Sequence, residues 1–361
     1  MSLLSLTIIV PVLNEASCLE EFLRGLSLQE HIRFEVVVSD GGSEDGTVAL
    51  VENYRSYSPY RLELVCSLPG RAQQMNAGAR RASSDWLLFL HADSRFEDPH
   101  ALMLAFTAMQ REHDLADLPP CAGHFPIHFE RRDSAPSLGY AFYEAKSRLD
   151  LAGCVHGDQG CFMHRIFFER VGCFDESLPM LEDVAMADSV SAVGRWVLLP
   201  GELVTSARRF ESEGLLERQT LNALIMNFRH IGWSAFFEAL PDIYLLQAQT
   251  SALKLLPVWI VIRDLFAKLP LHDRRRLWCA TGGYVRSQAW QLVFFWHCRR
   301  QFHRGQVATM GPHELSETMR GFERLTNNPF GRSLAALLVW VWFYSCYALL
   351  VFRYRRSQQD R

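Results

Sequence analysis

Asp93 and Asp40 fall where apolar runs end, the place where a side chain can reach a ligand. Asp93 closes the stretch 86–96, WLLFLHADSRF, with His91 two residues before it. Residues 86–90 are apolar without alternation, which predicts a strand buried on both faces of a parallel sheet. In open α/β sheets ligands bind outside the carboxyl ends of the strands. An Asp there can hold a divalent cation against a diphosphate, because hard cations prefer oxygen ligands; a loop-capping Asp is the ordinary alternative. The second loop, Ser39-Asp40-Gly41-Gly42-Ser43-Glu44-Asp45-Gly46-Thr47, has glycines that permit a tight turn and close approach to a ligand. Asp45 and Thr47 can cap the helix that follows. Cys154, His156, Asp158, Cys161 and His164 are metal-ligand types, but their spacing matches no closed structural-zinc pattern.

These positions need a scaffold, and the periodicity supplies one. The run 6–12 predicts a first strand and Leu19, Phe22, Leu23 and Leu26 a helix; strands follow at 34–38 and 61–66. Pro69-Gly70-Arg71 opens a helix over 72–82, whose small residues Ala72, Ala79 and Ala82 allow close packing on a sheet. Strand, helix and strand at this interval predict a parallel sheet with right-handed crossovers. Beyond residue 119 the pattern changes to short strands within 122–129, a helix over 138–148 and the turn Gly157-Asp158-Gln159-Gly160. Glu182-Asp183 precedes a helix over 184–193, strands follow at 196–199 and 203–205, and 215–237 reads as helical.

The chain has 361 residues, 49% hydrophobic and 12% aromatic, enough for one large domain or two modest ones. A net charge of −3 gives no argument for nucleic-acid binding. Arginines crowd the last third, as in Arg274-Arg275-Arg276, Arg299-Arg300 and the tail after Phe352. Basic clusters beside apolar runs suggest an anionic membrane surface, and solvated helix faces explain them equally simply. Nine scattered cysteines without a CxxC pair argue for reduced thiols in a cytosolic setting. The N-terminal MSLLSLTIIVPVLNE lacks a charged region and a cleavage site, so it reads as a first strand rather than a signal peptide.

With these pieces in order, the chain resembles the inverting family-two glycosyltransferases of the GT-A fold. The resemblance rests on TIIVPVLNE, VVVSDGGSEDGT, the strand ending in HAD, and LEDV after GCFDE. PGRAQQMNAGA and TSARRFESEG are similar to one bacterial subgroup, the selenodomain-associated or arsenosugar-type transferases. The resemblance spans residues 5–237 and implies a nucleotide diphosphate-sugar donor. It implies that Asp40 accepts a hydrogen bond from the nucleobase, with Pro11 and Glu15 lining the same pocket. Arg71, just before a helix N-terminus, would meet anionic oxygen. Asp93 matches the second Asp of the family's DxD motif and implies a divalent cation, Mn²⁺ or Mg²⁺; His91 departs from that motif at the first position and ligates, contacts through water, or packs. Asp183 matches the Asp of the ED motif and implies the general base that deprotonates the acceptor hydroxyl, with Glu182 as the neighbour able to replace it. Both carboxylates would also favour the positive end of the following helix. Arg208 and Arg209 resemble the late Arg motif that contacts diphosphate or acceptor, and Asp158 and Gln159 are candidates for the acceptor site. His124, His128, His156 and His164 receive no role.

The expected architecture is therefore α/β: a GT-A-type catalytic domain over 1–237, a helical extension over 238–330, and an apolar helix with a basic tail over 331–361. Residues 333–352, SLAALLVWVWFYSCYALLVF, carry no charge over 20 residues. At the helical rise they span about 30 Å, one hydrocarbon core. Arg332 and Arg353 bracket the run, so orientation is not set by flanking charge, and the helix spans, lies in the interface or packs in a core. The expected function is metal-assisted transfer of a sugar to an acceptor hydroxyl at the cytoplasmic face of the membrane. The alternative is a non-catalytic nucleotide-sugar sensor or scaffold.

Overall fold

The predicted alternation is present in the computed structural model, which describes residues 5–115, 117–151, 153–247, 252–308 and 310–359. β1 (Leu6–Val12), α1 (Ala16–Leu26), β2 (Phe34–Asp40), α2 (Thr47–Arg55), β3 (Arg61–Cys66), α3 (Arg71–Arg81) and β4 (Trp86–Phe89) follow one another. Every residue of β1, β2 and β4 is buried, which is why these runs show no alternation. β5 (Ser94–Phe96), α4 (Ala101–His113), β6 (Cys121–His124), β7 (Ile127–Glu130) and α5 (Leu138–Lys146) continue the chain. After a 3₁₀ turn at Gly157–Gln159 come β8 (Cys161–His164), α6 (Arg165–Arg170), α7 (Glu182–Val193), β9 (Arg195–Leu198) and β10 (Leu203–Ser206).

Seven strands form one sheet in the order β3-β2-β1-β4-β8-β6-β9, and β5-β10-β7 form a smaller one. β1 runs parallel to β2 and β4, and β2 to β3. β8 is the exception, lying antiparallel between β4 and β6. The mainly parallel α/β class expected from the sequence is thus the observed one. Glu182 and Asp183 begin α7 rather than precede it. The 215–237 helix is interrupted: Gly232, at φ +68°, lets the chain turn before the next helix starts at Ser234.

α3 shows why this segment needs small residues. A Cβ on Gly78 would lie 2.5 Å from Cγ2 of Ile9, so the helix backbone sits directly on β1. Within β2, buried Glu35 accepts hydrogen bonds from the Thr7 hydroxyl (2.7 Å), the Ser83 amide (2.6 Å) and the Ser83 hydroxyl (2.7 Å).

The chain divides into two compact units, Met1–Ser206 and Ala207–Arg361. The second is helical throughout its described elements: α8 (Arg208–Glu213), α9 (Leu215–His230), α10 (Ser234–Gln247), α11 (Leu255–Lys268), α12 (Leu271–Ser287), α13 (Trp290–Phe302), α14 (Pro312–Thr326) and α15 (Pro329–Gln359). α15 includes the uncharged run 333–352; Asp360 and Arg361, at the end of the basic tail, lie outside the described residues. Ala336 and Phe343 mark its buried stripe. A Cβ on Gly282 of α12 would lie 2.4 Å from the Ala336 amide nitrogen, so α12 and α15 pack backbone to backbone. The Trp259 indole of α11 donates to the Phe343 carbonyl at 3.1 Å.

Two glycine substitutions should move stability in opposite directions. Gly78→Ala overpacks the helix–sheet contact and should destabilise by about 1–3 kcal/mol. Gly25 in α1 has nothing within 4 Å of a built Cβ; Gly25→Ala should stabilise by roughly 0.4–1 kcal/mol. Urea denaturation of the two variants measures both.

Candidate active site

Parallel pairing places the ends of three strands on one edge. Val12 is in register with Asp40, and Ile9 with Phe89, so the loops after β1, β2 and β4 leave side by side. Pro11 lacks an N–H, and the β1–β4 register runs only from Thr7 to Ile9, so its missing donor falls where that pairing has ended. Asn14, at φ +58°, donates its amide to the Ser43 hydroxyl (2.8 Å) and accepts the Glu44 amide (2.8 Å). The Glu15 amide donates to the Thr47 hydroxyl (3.0 Å). Asp45 accepts the Ala16 amide through Oδ2 and the Thr47 amide through Oδ1, each at 3.0 Å, and so serves the starts of α1 and α2 together. Its hydrogen bond from the Thr47 hydroxyl is the main reason its carboxyl is held below the usual range.

Asp40 lies at the bottom of this stitched pair of loops, 3% exposed. Its Oδ2 accepts the amides of Gly42 (2.9 Å) and Ser43 (3.0 Å), while its buried Oδ1 has no hydrogen-bond partner among the described residues. A buried carboxylate oxygen without a donor is costly unless a ligand supplies one. Gln74, which sequence reasoning missed, closes the floor: its Nε2 donates to the carbonyls of Val12 (2.6 Å) and Ser39 (3.0 Å). The available signal was a polar side chain on a helix face otherwise made of small and apolar residues.

The other wall comes from later in the chain. The Gly157 amide donates to Oδ2 of Asp183 at 2.8 Å. A Cβ on Gly157 would stand 3.2 Å from Asp183 and 3.3 Å from Cε1 of His91, so the three residues are direct neighbours. Leu181, at φ +65°, makes the turn that presents Glu182 and Asp183 in the first turn of α7. Glu182 is buried; burial and Asp183 push its carboxyl up, and the exposed Arg71 guanidinium stands 4.0 Å away. Burial, helped by Arg71, brings His91 down to about 4, so the imidazole is neutral at pH 7. Burial, then Asp183 and Asp93, push Asp158 up to about 6, and its Oδ1 has no hydrogen-bond partner among the described residues. Beside Asp183 lies a cavity of about 30 Å³, lined in part by His91, His156, Cys161 and Trp196 and sized for a water rather than a sugar ring.

Gln159 is 2% exposed, and its side chain is spent inside the unit. Its Nε2 donates to the Cys154 carbonyl (2.5 Å), and its Oε1 meets Nδ1 of His124 (2.8 Å). His124, given no role from sequence, is fully buried and also meets Asp150 at 2.7 Å; it holds the 154–160 loop in place. Among the described residues, the five Cys, His and Asp side chains of 154–164 form no three-ligand cluster. Burial pushes the Cys154 thiol up to about 11 and the Cys161 thiol up to about 12, away from the thiolates that zinc requires. Arg208 and Arg209 begin α8 of the second unit, where Arg209 pairs with Glu213 at 3.1 Å.

Residues 7–171, a little under half of the chain, match the family model described as Glycosyl transferase family 2. A PGL/p-HBAD biosynthesis glycosyltransferase of Mycobacterium bovis (strain BCG / Pasteur 1173P2) is 36% identical over 115 residues, covering 31% of this chain and 44% of that one. The uncharacterized glycosyltransferase YfnE of Bacillus subtilis (strain 168) is 34% identical over 88 residues, 24% and 22% of the two chains. The chain thus spans less than half the length of these relatives. Among solved structures, the mannosyltransferase PcManGT from Pyrobaculum calidifontis, in complex with GDP-Man and Mn²⁺, has a TM-score of 0.48 at 18% identity, covering 94% of this chain and 87% of that one. S. aureus TarS 1-349 in complex with UDP has a TM-score of 0.45 at 16% identity, covering 83% and 92%.

The charge crowding has a measurable sign. Because the folded state raises Asp158 to about 6, its ionised form costs stability above that pH, and the cost is relieved as pH falls toward 4. In chelator-treated protein, Asp158→Asn should raise Tm at pH 8 and raise it much less at pH 4.5. An equal gain at both pH values contradicts the buried-charge assignment.

Proposed function

We propose that this protein is an inverting glycosyltransferase that moves a sugar from a nucleotide diphosphate-sugar to an acceptor hydroxyl. The observation that carries the proposal is the convergence of Asp183, His91 and Asp158 around Gly157, beside the strand edge where Asp40 keeps an unpaired oxygen. Asp40 accepts an N–H from the nucleobase, which supplies the donor its Oδ1 lacks. Pro11 and Glu15 line the same pocket, and Arg71 faces the diphosphate.

A divalent cation fits the donor set. Burial, then the nearby carboxylates of Asp183 and Asp93, raise Asp158 to about 6; such a carboxylate group favours a positive ion, and oxygen ligands suit Mn²⁺ or Mg²⁺. Asp93 would hold the ion with His91 beside it, and the ion would supply charge neutralisation on the leaving diphosphate.

Asp183 acts as the base, taking the proton of the acceptor hydroxyl as that oxygen attacks the anomeric carbon from the face opposite the diphosphate. The Gly157 amide, donating to its Oδ2, fixes the position of its carboxylate. Glu182, buried and with the Arg71 guanidinium 4.0 Å away, is less open to an acceptor and is the neighbour able to replace Asp183. Asp158 orients the acceptor. The runs PGRAQQMNAGA and TSARRFESEG support the selenodomain-associated or arsenosugar-type subgroup.

The catalytic unit works at the cytoplasmic face of a membrane, to which α15 attaches it. Pro329–Arg356 of this helix has a mean hydropathy of 2.1 over its most apolar window, of which 11% is buried. Leu337, Leu338, Val341, Trp342 and Leu349 are all exposed on it, while its other side packs on α12. An apolar surface this long, flanked by Arg332 and Arg353, suits a bilayer better than water.

Two measurements test these assignments. Asp183→Asn should leave nucleotide-diphosphate affinity within a few fold and lower donor turnover by roughly 10²–10⁴; near-normal turnover, or its loss in Glu182→Gln alone, removes Asp183 as the base. In liposome flotation the full chain should rise with anionic vesicles, and Leu338→Glu with Trp342→Glu should leave it in the soluble fraction with an unchanged circular dichroism spectrum. Flotation that survives the double substitution contradicts attachment through this face.

A further inference from the structure

Outside the candidate active site, two short loops of the first unit bring together Glu30, His31 and His100. Each offers one ligand atom, and these atoms lie within 4.8 Å of one another. Oε2 of Glu30 stands 3.8 Å from Nε2 of His31 and 3.8 Å from Nε2 of His100. The two imidazole rings stack at 5.4 Å. We propose that these three side chains form a surface site for a transition-metal dication of the zinc type, with Asp98 supporting His100 from behind.

The geometry needs little adjustment. A tetrahedral ion with ligands at about 2.0–2.1 Å holds neighbouring ligand atoms about 3.3 Å apart, so side-chain rotations have to close separations of 3.8 Å, and of at most 4.8 Å, to that value. The backbone is already held for it. The Glu30 amide donates to the Pro99 carbonyl (2.8 Å), Gln29 Nε2 to the Asp98 carbonyl (2.9 Å), and the Leu102 amide to Gln29 Oε1 (3.0 Å). His31 itself sits at φ +59°, a conformation uncommon outside glycine that is kept where the surroundings impose it.

Asp98 provides the second line of support. Its Oδ1 stands 3.5 Å from Nδ1 of His100 and accepts the His100 amide at 2.9 Å. A proton on Nδ1 facing this carboxylate leaves the Nε2 lone pair on the side of Glu30, the arrangement that metal-bound histidines commonly show. The side chains of His31, Glu30 and His100 are 69%, 60% and 41% exposed, so an ion reaches them without opening the fold and keeps a coordination position for water.

Two imidazoles and one carboxylate select zinc, nickel or copper, whereas Mg²⁺ and Mn²⁺ favour oxygen-rich sets. The site is therefore chemically distinct from the one at Asp93. It is also distant from the strand ends: His31 precedes β2, a seven-residue strand that runs about 20 Å before it ends at Asp40. An ion here staples the loop before β2 to the loop before α4 and stays clear of the reacting atoms.

The test is a competitive titration of the full chain with Zn²⁺ against a chromophoric indicator, in excess Mg²⁺. One zinc ion per chain should bind at micromolar or tighter affinity. His31→Asn, which tolerates the left-handed backbone, and His100→Gln should abolish it. Asp98→Asn should weaken it by about 10–100-fold, and Asp93→Ala should leave it unchanged. With chelator present these surface variants should melt with the parent, which separates metal loss from unfolding. Co²⁺ in the site should show d–d bands without a thiolate charge-transfer band, separating it from the exposed Cys66 and Cys279. The proposal is overturned if the parent binds no zinc at micromolar concentration, if the two histidine variants bind like the parent, or if the cobalt spectrum shows thiolate ligation.

Discussion

Like charge crowded into a half-buried space is the constraint on which the first unit depends. Asp158 and Glu182 both feel Asp183, and Asp158 also feels Asp93, with Arg71 opposing them from the surface. Left alone, such carboxylates would separate or take up protons. They stay together because the backbone leaves them no freedom. The Gly157 amide holds Asp183, the left-handed turn at Leu181 sets the start of α7, and Asn76 ties the preceding loop to α3 through the Phe174 carbonyl (2.8 Å) and amide (3.1 Å).

The parallel core is what makes this affordable. β1, β2 and β4 are buried at every position, so the loops at their carboxyl ends are positioned by elements that do not move independently. Gln74 extends that rigidity by hydrogen-bonding two strand-end carbonyls at once, and Gly78 lets α3 approach closely enough for it to do so.

Much of this was legible in the residues. Unbroken apolar runs marked β1, β2 and β4, and the small residues of α3 marked a helix pressed on a sheet. Residues 333–352 stood out by lacking charge. What stayed hidden depends on contacts distant in sequence. The antiparallel insertion of β8 between β4 and β6 leaves no local signal, because an apolar strand reads alike in either direction. Gln74 and Gln159 are both buried glutamines; only the fold shows that Gln74 satisfies carbonyls of two strands and that Gln159 meets the ring of His124. Glu182 and Asp183 begin α7 instead of standing ahead of it, and the residue that opens the turn, Leu181, carries no helix-start signal.

The central claim is that the shared strand edge binds a nucleotide diphosphate through a cation at Asp93, with Asp40 receiving the base. Calorimetric titration of UDP and GDP, beside uridine and guanosine, with and without Mn²⁺ tests it most directly in the full chain and in Asp93→Ala. The account predicts that one diphosphate binds tightly only with Mn²⁺, and that Asp93→Ala removes this gain while leaving the weak nucleoside binding intact. Binding indifferent to Mn²⁺, or equal loss of nucleoside and diphosphate in Asp93→Ala, would contradict it.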